Sequence, residues 1–367
     1  MEYRNIILES DKFQRDSLNS LSPYIGRLRP ECAQLLIEKY ATPGRPIFDP
    51  FCGSGTVLLQ GWKNGFSVYG NDLSPYAYVL SLGKMFPYKS EQEALQALKK
   101  YEERIKVRTQ SITLDDVPIW VQDFYDPTTL REILACFYYF RRYKEWFLLS
   151  SLLGILHHQR PAFLSYPASH GAPYLRTQKF PREIYPEMYA YKNVLEKLTE
   201  KITRTYKNFP ELNFEQMRAV FNKDASTMRL GNIPPGTIIT SPPYMRSLTY
   251  ARDNRLRLWF LGFDDWASLD DKISPVRKAF VDLLQTSIKK WASYQKAGDK
   301  CILIVGDIEI AVEGKRKSLA EFVKECSSKY YFFIEAFQDP IPESHKLVKG
   351  NNKIKREIIV VLERRCP

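Results

Sequence analysis

Arg45-Pro46-Ile47-Phe48-Asp49-Pro50-Phe51-Cys52-Gly53-Ser54-Gly55-Thr56 is the stretch whose reading decides the fold. Arg45 to Asp49 reads as a short apolar strand and Ser54 to Trp62 as a helix, so the turn between them carries two glycines. Gly53 and Gly55 let the backbone approach a ligand without a Cβ clash, and Ser54 or Thr56 is positioned to cap the helix. The turn lacks a Gly-Lys-Ser/Thr ending, which excludes a phosphate-cradling P-loop. A dinucleotide pattern would need a third glycine where Leu58 stands. A second strand, Phe66 to Asn71, and a helix opened by Ser74-Pro75 and running to Lys84 complete a β-α-β-α unit. Such a unit begins a doubly wound, mostly parallel α/β sheet, in which ligands sit at the carboxyl ends of the strands.

Working outward, each following strand ends in an acid. Gly70-Asn71-Asp72-Leu73 puts a carboxylate at the second strand's end, where it can accept both hydroxyls of a ribose. Val220-Phe221-Asn222-Lys223-Asp224-Ala225 ends a third strand, Met217 to Phe221, with an acid placed to contact an adenine amino group. Upstream, Pro30 opens a helical pattern that Thr42-Pro43-Gly44 ends. From Glu91 to Leu212 the pattern becomes long helices, expected at Glu91 to Gln110, Thr128 to Tyr143, Lys144 to His158 and Glu187 to Phe209. The irregular stretch Gln159 to Pro186 is long for a passive connector and reads as a binding loop. Strand patterns resume at Gly236 to Thr240, Lys300 to Val305, Tyr330 to Phe337 and Lys355 to Glu363, with helices at Lys278 to Ala297 and Ser318 to Ser328. The division that follows is a catalytic domain from residues 1–88 and 217–367, interrupted by a mainly helical insertion at 89–216.

The second signature is Thr240-Ser241-Pro242-Pro243-Tyr244, after the apolar run Thr237-Ile238-Ile239. DPFCGSGT and TSPPY together resemble the motifs of the class I S-adenosylmethionine-dependent amino-DNA methyltransferases, and the serine form resembles the N4-cytosine kind. That resemblance implies a Rossmann-like sheet and S-adenosylmethionine as cofactor. It puts Asp49, Pro50, Phe51, Gly53, Ser54, Gly55 and Thr56 around the methionine part, with Asp72, Leu73, Asp224 and Ala225 around the nucleoside. Ser22 to Pro30 looks like the segment that packs over the cofactor carboxylate in that family, so Tyr24 and Arg29 join the expected binding residues, Arg29 as the carboxylate's partner.

The chemistry explains the second motif. An amino group on a base is a poor nucleophile because its lone pair is delocalised into the ring. Hydrogen-bond acceptors for both N–H bonds draw that pair back, so acceptors are required and a covalent nucleophile is not. Ser241 supplies its hydroxyl oxygen and a backbone carbonyl at Ser241 or Pro242 the second acceptor. Pro242 and Pro243 fix φ and pre-set the acceptors, and Tyr244 offers a stacking face to an extruded base. Methylation at cytosine C5 needs a cysteine nucleophile after a proline, and the chain has no Pro-Cys dipeptide. N6-adenine or RNA amino-group methylation is the alternative within enzymes, and a DNA-binding protein without catalysis is the alternative outside them.

Lys and Arg number 54 against 42 Asp and Glu, a net charge of +12, which favours a polyanionic partner, DNA above all. Arg246, Arg252 and Arg255 follow the proline turn on an amphipathic helix that ends at Gly262, and Arg257 lies on the same helix. Between Arg160 and Lys207 there are nine Lys or Arg, four acids and eight Phe or Tyr, a mixture suited to phosphate neutralisation and stacking. Arg176 and Lys179 are the contacts expected there, and Lys346 and Lys349 in a basic loop later. Six cysteines without a CxxC pair or close His partner argue against zinc and for reduced thiols, and His157, His158 and His170 read as polar loop or groove residues. No stretch approaches the roughly 20 apolar residues of a membrane span, and the N-terminus lacks a signal-peptide pattern, so a cytoplasmic, nucleoid-associated enzyme is expected. A separately acting restriction endonuclease is the partner expected besides DNA.

Overall fold

The structure, a computed structural model, describes residues 3–6, 13, 16–231, 234–243, 249–273, 276–312, 314–340 and 356–366. Its strands are β1 (Arg4–Asn5), β2 (Ile47–Asp49), β3 (Val68–Asn71), β4 (Arg218–Phe221), β5 (Thr237–Thr240), β6 (Lys300–Gly306), β7 (Glu309–Val312), β8 (Lys315–Ser318), β9 (Tyr331–Pro340) and β10 (Arg356–Arg364). Eight of them form one sheet in the order β1-β9-β10-β6-β5-β2-β3-β4, and β7 with β8 makes a separate hairpin. From β6 through β4 all neighbours are parallel, while β10 runs antiparallel to both β6 and β9. After the edge strand β1, the parallel part starts at the middle of the sheet with β2, steps outward through β3 to β4, and returns to β5 on the other side. This doubly wound, Rossmann-like sheet is the fold that the opening β-α-β-α unit implied.

The strands' alternation builds two apolar layers. Ile47, Val68, Ile239, Ile302, Ile304 and Ile359 face one core, covered by helices Pro30–Tyr40, Thr56–Lys63 and Pro75–Met85. Phe48, Tyr69, Ile238, Leu303 and Val360 face the other, covered by helices Arg277–Tyr294 and Leu319–Ser327. Both faces are buried, which is why the strands read as continuous apolar runs.

Helices Glu91–Lys99, Glu102–Ser111, Ile119–Gln122, Pro127–Arg142, Trp146–Ile155 and Val194–Tyr206 lie in sequence between β3 and β4. The single helix expected at Glu91 to Gln110 is two, broken where Tyr101 turns inward and donates its hydroxyl to Glu145 Oε1 at 2.7 Å. The helix expected from Glu187 starts at Val194, with Asn193 accepting from Glu196 N as its cap. Helix Trp146–Ile155 is apolar all round and buried along its length, because it runs between helix Pro75–Met85 and the N-terminal segment. The crossing with helix Pro75–Met85 is close: Ser150 Oγ donates to the Val79 carbonyl at 2.9 Å, and a Cβ on Gly83 would sit 2.2 Å from that same Oγ.

The hairpin β7–β8 and helix Trp266–Ile273 carried no pattern strong enough to be expected from sequence. Gly154 is the tightest contact of the insertion with the N-terminal segment, since a Cβ there would lie 2.2 Å from the Leu21 carbonyl oxygen. Backbone cannot yield as a flexible side chain does, so the clash outweighs the roughly 1 kcal/mol that alanine gains over glycine in a helix. Gly154→Ala is expected to lower the unfolding free energy by about 1–3 kcal/mol, measured by urea denaturation.

Candidate active site

Parallel pairing decides where the two signatures meet. Ile47 pairs with Thr237 and Phe48 with Ile238, so β2 and β5 end side by side. Asp49-Pro50 therefore leaves the sheet next to Thr240-Ser241. The junction is hydrogen-bonded: Thr240 Oγ1 donates to Asp49 Oδ1 at 2.7 Å, and Phe51 N donates to Asp49 Oδ1 at 3.2 Å and to Thr240 Oγ1 at 3.3 Å. Above it opens a cleft of about 930 Å³, its solvent-open mouth included.

The glycine turn forms one wall. Gly53 and Gly55 have φ of +49° and +72°, the left-handed region that a side chain resists. A Cβ on Gly53 would press within 3.2 Å of the Tyr24 ring, and one on Gly55 within 2.9 Å of Ser81 Oγ. The helix cap differs from expectation. Gly55 itself is the N-cap, and the Ser54 and Thr56 hydroxyls bond to each other at 3.2 Å instead of capping the helix.

Asp72 supports the turn from β3: Gly53 N donates to Oδ2 and Ser74 N to Oδ1, each at 2.8 Å. Asn71, fully buried, ties the loops together by donating to the Pro50 and Lys223 carbonyls while accepting from Lys223 N. Burial pushes the Asp49 carboxyl up to about 7 against the pull of Thr240 and the Phe51 amide, with Asp72 adding to the rise. Burial likewise pushes Asp72 up to about 6 against the Ser74 and Gly53 amides. Asp224, on the far rim, is exposed and holds Ser226 N and Oγ, while Ala225 beside it is buried.

Of the expected binding residues, Tyr24, Asp49, Phe51, Gly53, Ser54, Thr56, Asp72, Leu73, Asp224 and Ala225 line the cleft, together with Ser241 and Pro243. Pro50, Gly55 and Pro242 shape the turns from behind. Tyr244 and Arg246 lie outside the described residues, as do Lys346 and Lys349.

Arg29 needs correction. It forms an ion pair with Asp339 of β9, a buried carboxylate, and does not line the cleft. Arg27 and Leu28 line it instead, with Gly26. A single residue, Leu28, separates the two arginines in sequence, and sequence alone could not tell which one Asp339 claims.

The expected polyanion contacts divide. Arg176 and Lys179 are exposed; Arg176 donates to Gln159 Oε1 at 2.8 Å, and the Lys179 ammonium lies 5.5 Å from the Phe180 ring centre. Arg252 is exposed at the end of helix Tyr250–Asp253. Arg255 is not free for a phosphate: it donates to the Pro173 carbonyl at 2.5 Å and lies 4.6 Å from the Tyr174 ring centre, tying helix Arg255–Phe260 to the long loop. Arg257 faces the core and bonds to the Leu153 carbonyl and Asn254 Oδ1. The three histidines expected in a loop or groove all lie outside helices and strands, His170 exposed but His157 and His158 buried, with His158 packed on Phe163 and His170. No cluster of three metal-ligating side chains occurs among the described residues, and no helix there is long and apolar enough to cross a membrane.

Sequence reading missed the opposite wall. Tyr250 stacks 6.4 Å from Tyr24, and Lys272, Ile273 and Leu283 close the cleft from helices Trp266–Ile273 and Arg277–Tyr294. These residues belong to no local motif; chain return alone brings them there. Cys52 and Asn71, inside the signatures, carried no role until the turns were seen to fold around them.

With this geometry, sequence comparison gives a consistent result. The chain is similar to Type II methyltransferases. It is 24% identical over 314 residues to Type II methyltransferase M.BsoBI of Geobacillus stearothermophilus, covering 76% of this chain and 60% of that one. It is 31% identical over 93 residues to Type II methyltransferase M.MjaII of Methanocaldococcus jannaschii, covering 25% and 17%. The chain thus spans less than two thirds of the length of the curated relatives it matches. No family model matches it. Among solved structures, the rRNA methyltransferase aviRa from Streptomyces viridochromogenes superposes with a TM-score of 0.34 at 13% identity, over 98% of this chain and 96% of that one.

The cleft acids give a pH signature. An acid raised in the folded state stabilises the fold fully below its unfolded pKa, near 4, and that contribution is lost as pH climbs through the folded value. For Asp49 the window runs from about 4 to about 7. Relative to Asp49→Asn, the unliganded wild type is expected to lose stability steadily across this interval and then level off, as measured by denaturation at each pH.

Proposed function

We propose that the chain is an S-adenosylmethionine-dependent DNA methyltransferase that modifies the exocyclic N4 amino group of cytosine in a specific sequence, with the base flipped out of the duplex. The observation that carries this reading is the hydrogen-bonded meeting of Asp49-Pro50-Phe51 with Thr240-Ser241 at the ends of adjacent parallel strands. A donor held by the glycine turn and an acceptor held by the proline turn then share one cleft. The similarity to Type II methyltransferases supports DNA as the substrate and a role in restriction-modification or host-DNA protection, alongside a separate endonuclease.

The residues fit the donor. Gly53 leaves open the space beside Tyr24 that a Cβ would fill, and the carboxylates of Asp49, Asp72 and Asp224 face a cleft suited to a positively charged nucleoside derivative. S-adenosylmethionine, when bound, supplies an electrophilic methyl group. Gly53, Ser54 and Thr56 would hold its amino-acid end with Arg27 nearby, and Asp72, Leu73, Asp224 and Ala225 its nucleoside. Ser241 Oγ and one backbone carbonyl, at Ser241 or Pro242, accept from the two N–H bonds of the base's amino group, raising the nitrogen's nucleophilicity. Pro242 and Pro243 hold those acceptors in place, and Tyr244 stacks on the base. Thr240 anchors the acceptors to the donor turn through Asp49. Residues 89–216 serve as the target-recognition element; its Arg176 and Lys179 act as phosphate contacts, together with Arg246, Arg252, Lys346 and Lys349 from the catalytic domain.

The test is product identity. Purified protein incubated with labelled donor and mixed-sequence duplex, then digested to nucleosides, is expected to yield N4-methylcytosine. Label only in adenine would overturn the base, and label only when RNA replaces DNA would overturn the substrate. Ser241→Ala is expected to lower turnover by about a hundredfold or more, the scale of losing one pre-set transition-state hydrogen bond. Donor affinity, measured by calorimetry, stays within about twofold, because Ser241 acts on the base.

A further inference from the structure

The insertion carries a basic groove that plays no part in the reading above. Helices Glu102–Ser111 and Pro127–Arg142 pack together, and Arg108, Arg141 and Arg142 line a groove between them and Phe260, floored by Leu134 and Tyr138. The Arg108 guanidinium lies 3.4 Å from the Tyr138 ring centre, and Arg142 Nη1 donates to the Tyr138 hydroxyl at 3.2 Å, so one ring organises two cations. Arg141 rests beside Gly262, where a Cβ would come within 3.2 Å of its Nη1.

Among the described residues none of the three arginines is ion-paired with a carboxylate, and no acid lines the groove. Three guanidinium groups brought together this way repel one another unless an anion joins them. Their planar forks, two of them ordered by Tyr138, match phosphate oxygens, whereas an apolar partner would leave them without partners.

Position adds the partner. Tyr250 stands at the cleft and Phe260 at the groove, ten residues apart along two short helices, roughly 15 Å at 1.5 Å per residue. That is less than half of the ~34 Å helical turn of a duplex, so DNA with one base in the cleft runs its backbone within reach. We propose that Arg108, Arg141 and Arg142 form a phosphate-backbone clamp for the duplex whose base enters the cleft, an inference that rests on the DNA methyltransferase reading.

Duplex affinity measured against salt concentration tests it, with Arg141 and Arg142 changed because both are exposed and removable without opening the core. For R141Q/R142Q the slope of log affinity against log salt is expected to become shallower by about 2, and affinity to fall about tenfold or more equally for all sequences. Donor affinity and melting temperature should stay at the wild-type values. The charge-preserving pair R141K/R142K is expected to keep the wild-type slope; if it falls as far as the glutamine pair, the loss is structural and the clamp is overturned. An unchanged slope in R141Q/R142Q, on duplex that the wild type binds and methylates, overturns the clamp alone. A wild type that binds donor but no duplex overturns both the clamp and the DNA reading.

Discussion

The hydrogen bond from Thr240 to Asp49, made possible by the parallel register of β2 and β5, is the constraint on which the rest of the site depends. It is short, buried and flanked by the Phe51 amide, which shares both oxygens. A one-residue slip in that register would turn Asp49 to the opposite face and separate the glycine turn from the proline turn. Because the strands are buried on both faces, such a slip would also swap Ile47 and Phe48 between the two packed cores, and the packing cost holds the register firm.

The polar groups above that bond are arranged for a ligand more than for the unliganded fold. Two carboxylates, Asp49 and Asp72, are buried close to one another and both are pushed up toward neutrality by desolvation. A fold optimised only for stability would not put them there. Their amide and hydroxyl donors offset part of the cost, and a cation entering the cleft would offset more. Groups displaced in this way at a cleft are a physical mark of function.

The helical insertion is joined to the sheet domain and does not hang from it. Helix Trp146–Ile155 is wedged between helix Pro75–Met85 and the N-terminal segment, and Arg255 bolts the long loop to the helix that follows the proline turn. The long loop, proposed above to contact DNA, is thereby mechanically continuous with the elements around the cleft. Arg255 and Arg257 show what this costs in surface charge: two arginines of the helix expected to meet a polyanion are consumed by a carbonyl, a tyrosine ring and the core.

Much was legible in the chain itself. Strand, turn and helix around Asp49 to Thr56, the acids ending β3 and β4, and the Ser241-Pro242-Pro243 corner are local patterns: a left-handed φ demands glycine, proline fixes its own φ, and alternation of apolar residues follows the strand period. Those rules act within a few residues, so sequence reports them. What it could not report was pairing at a distance. Asp339 claims Arg29 across more than three hundred residues, leaving Arg27 at the cleft, and Gly55, packed against Ser81, stands as helix cap while the two hydroxyls bond to each other. Tyr250, Lys272 and Leu283 reach the cleft only because later helices fold back over it. Local backbone preference is written in neighbouring residues, whereas the partner of a charge or a ring is chosen by packing, which depends on the whole chain at once.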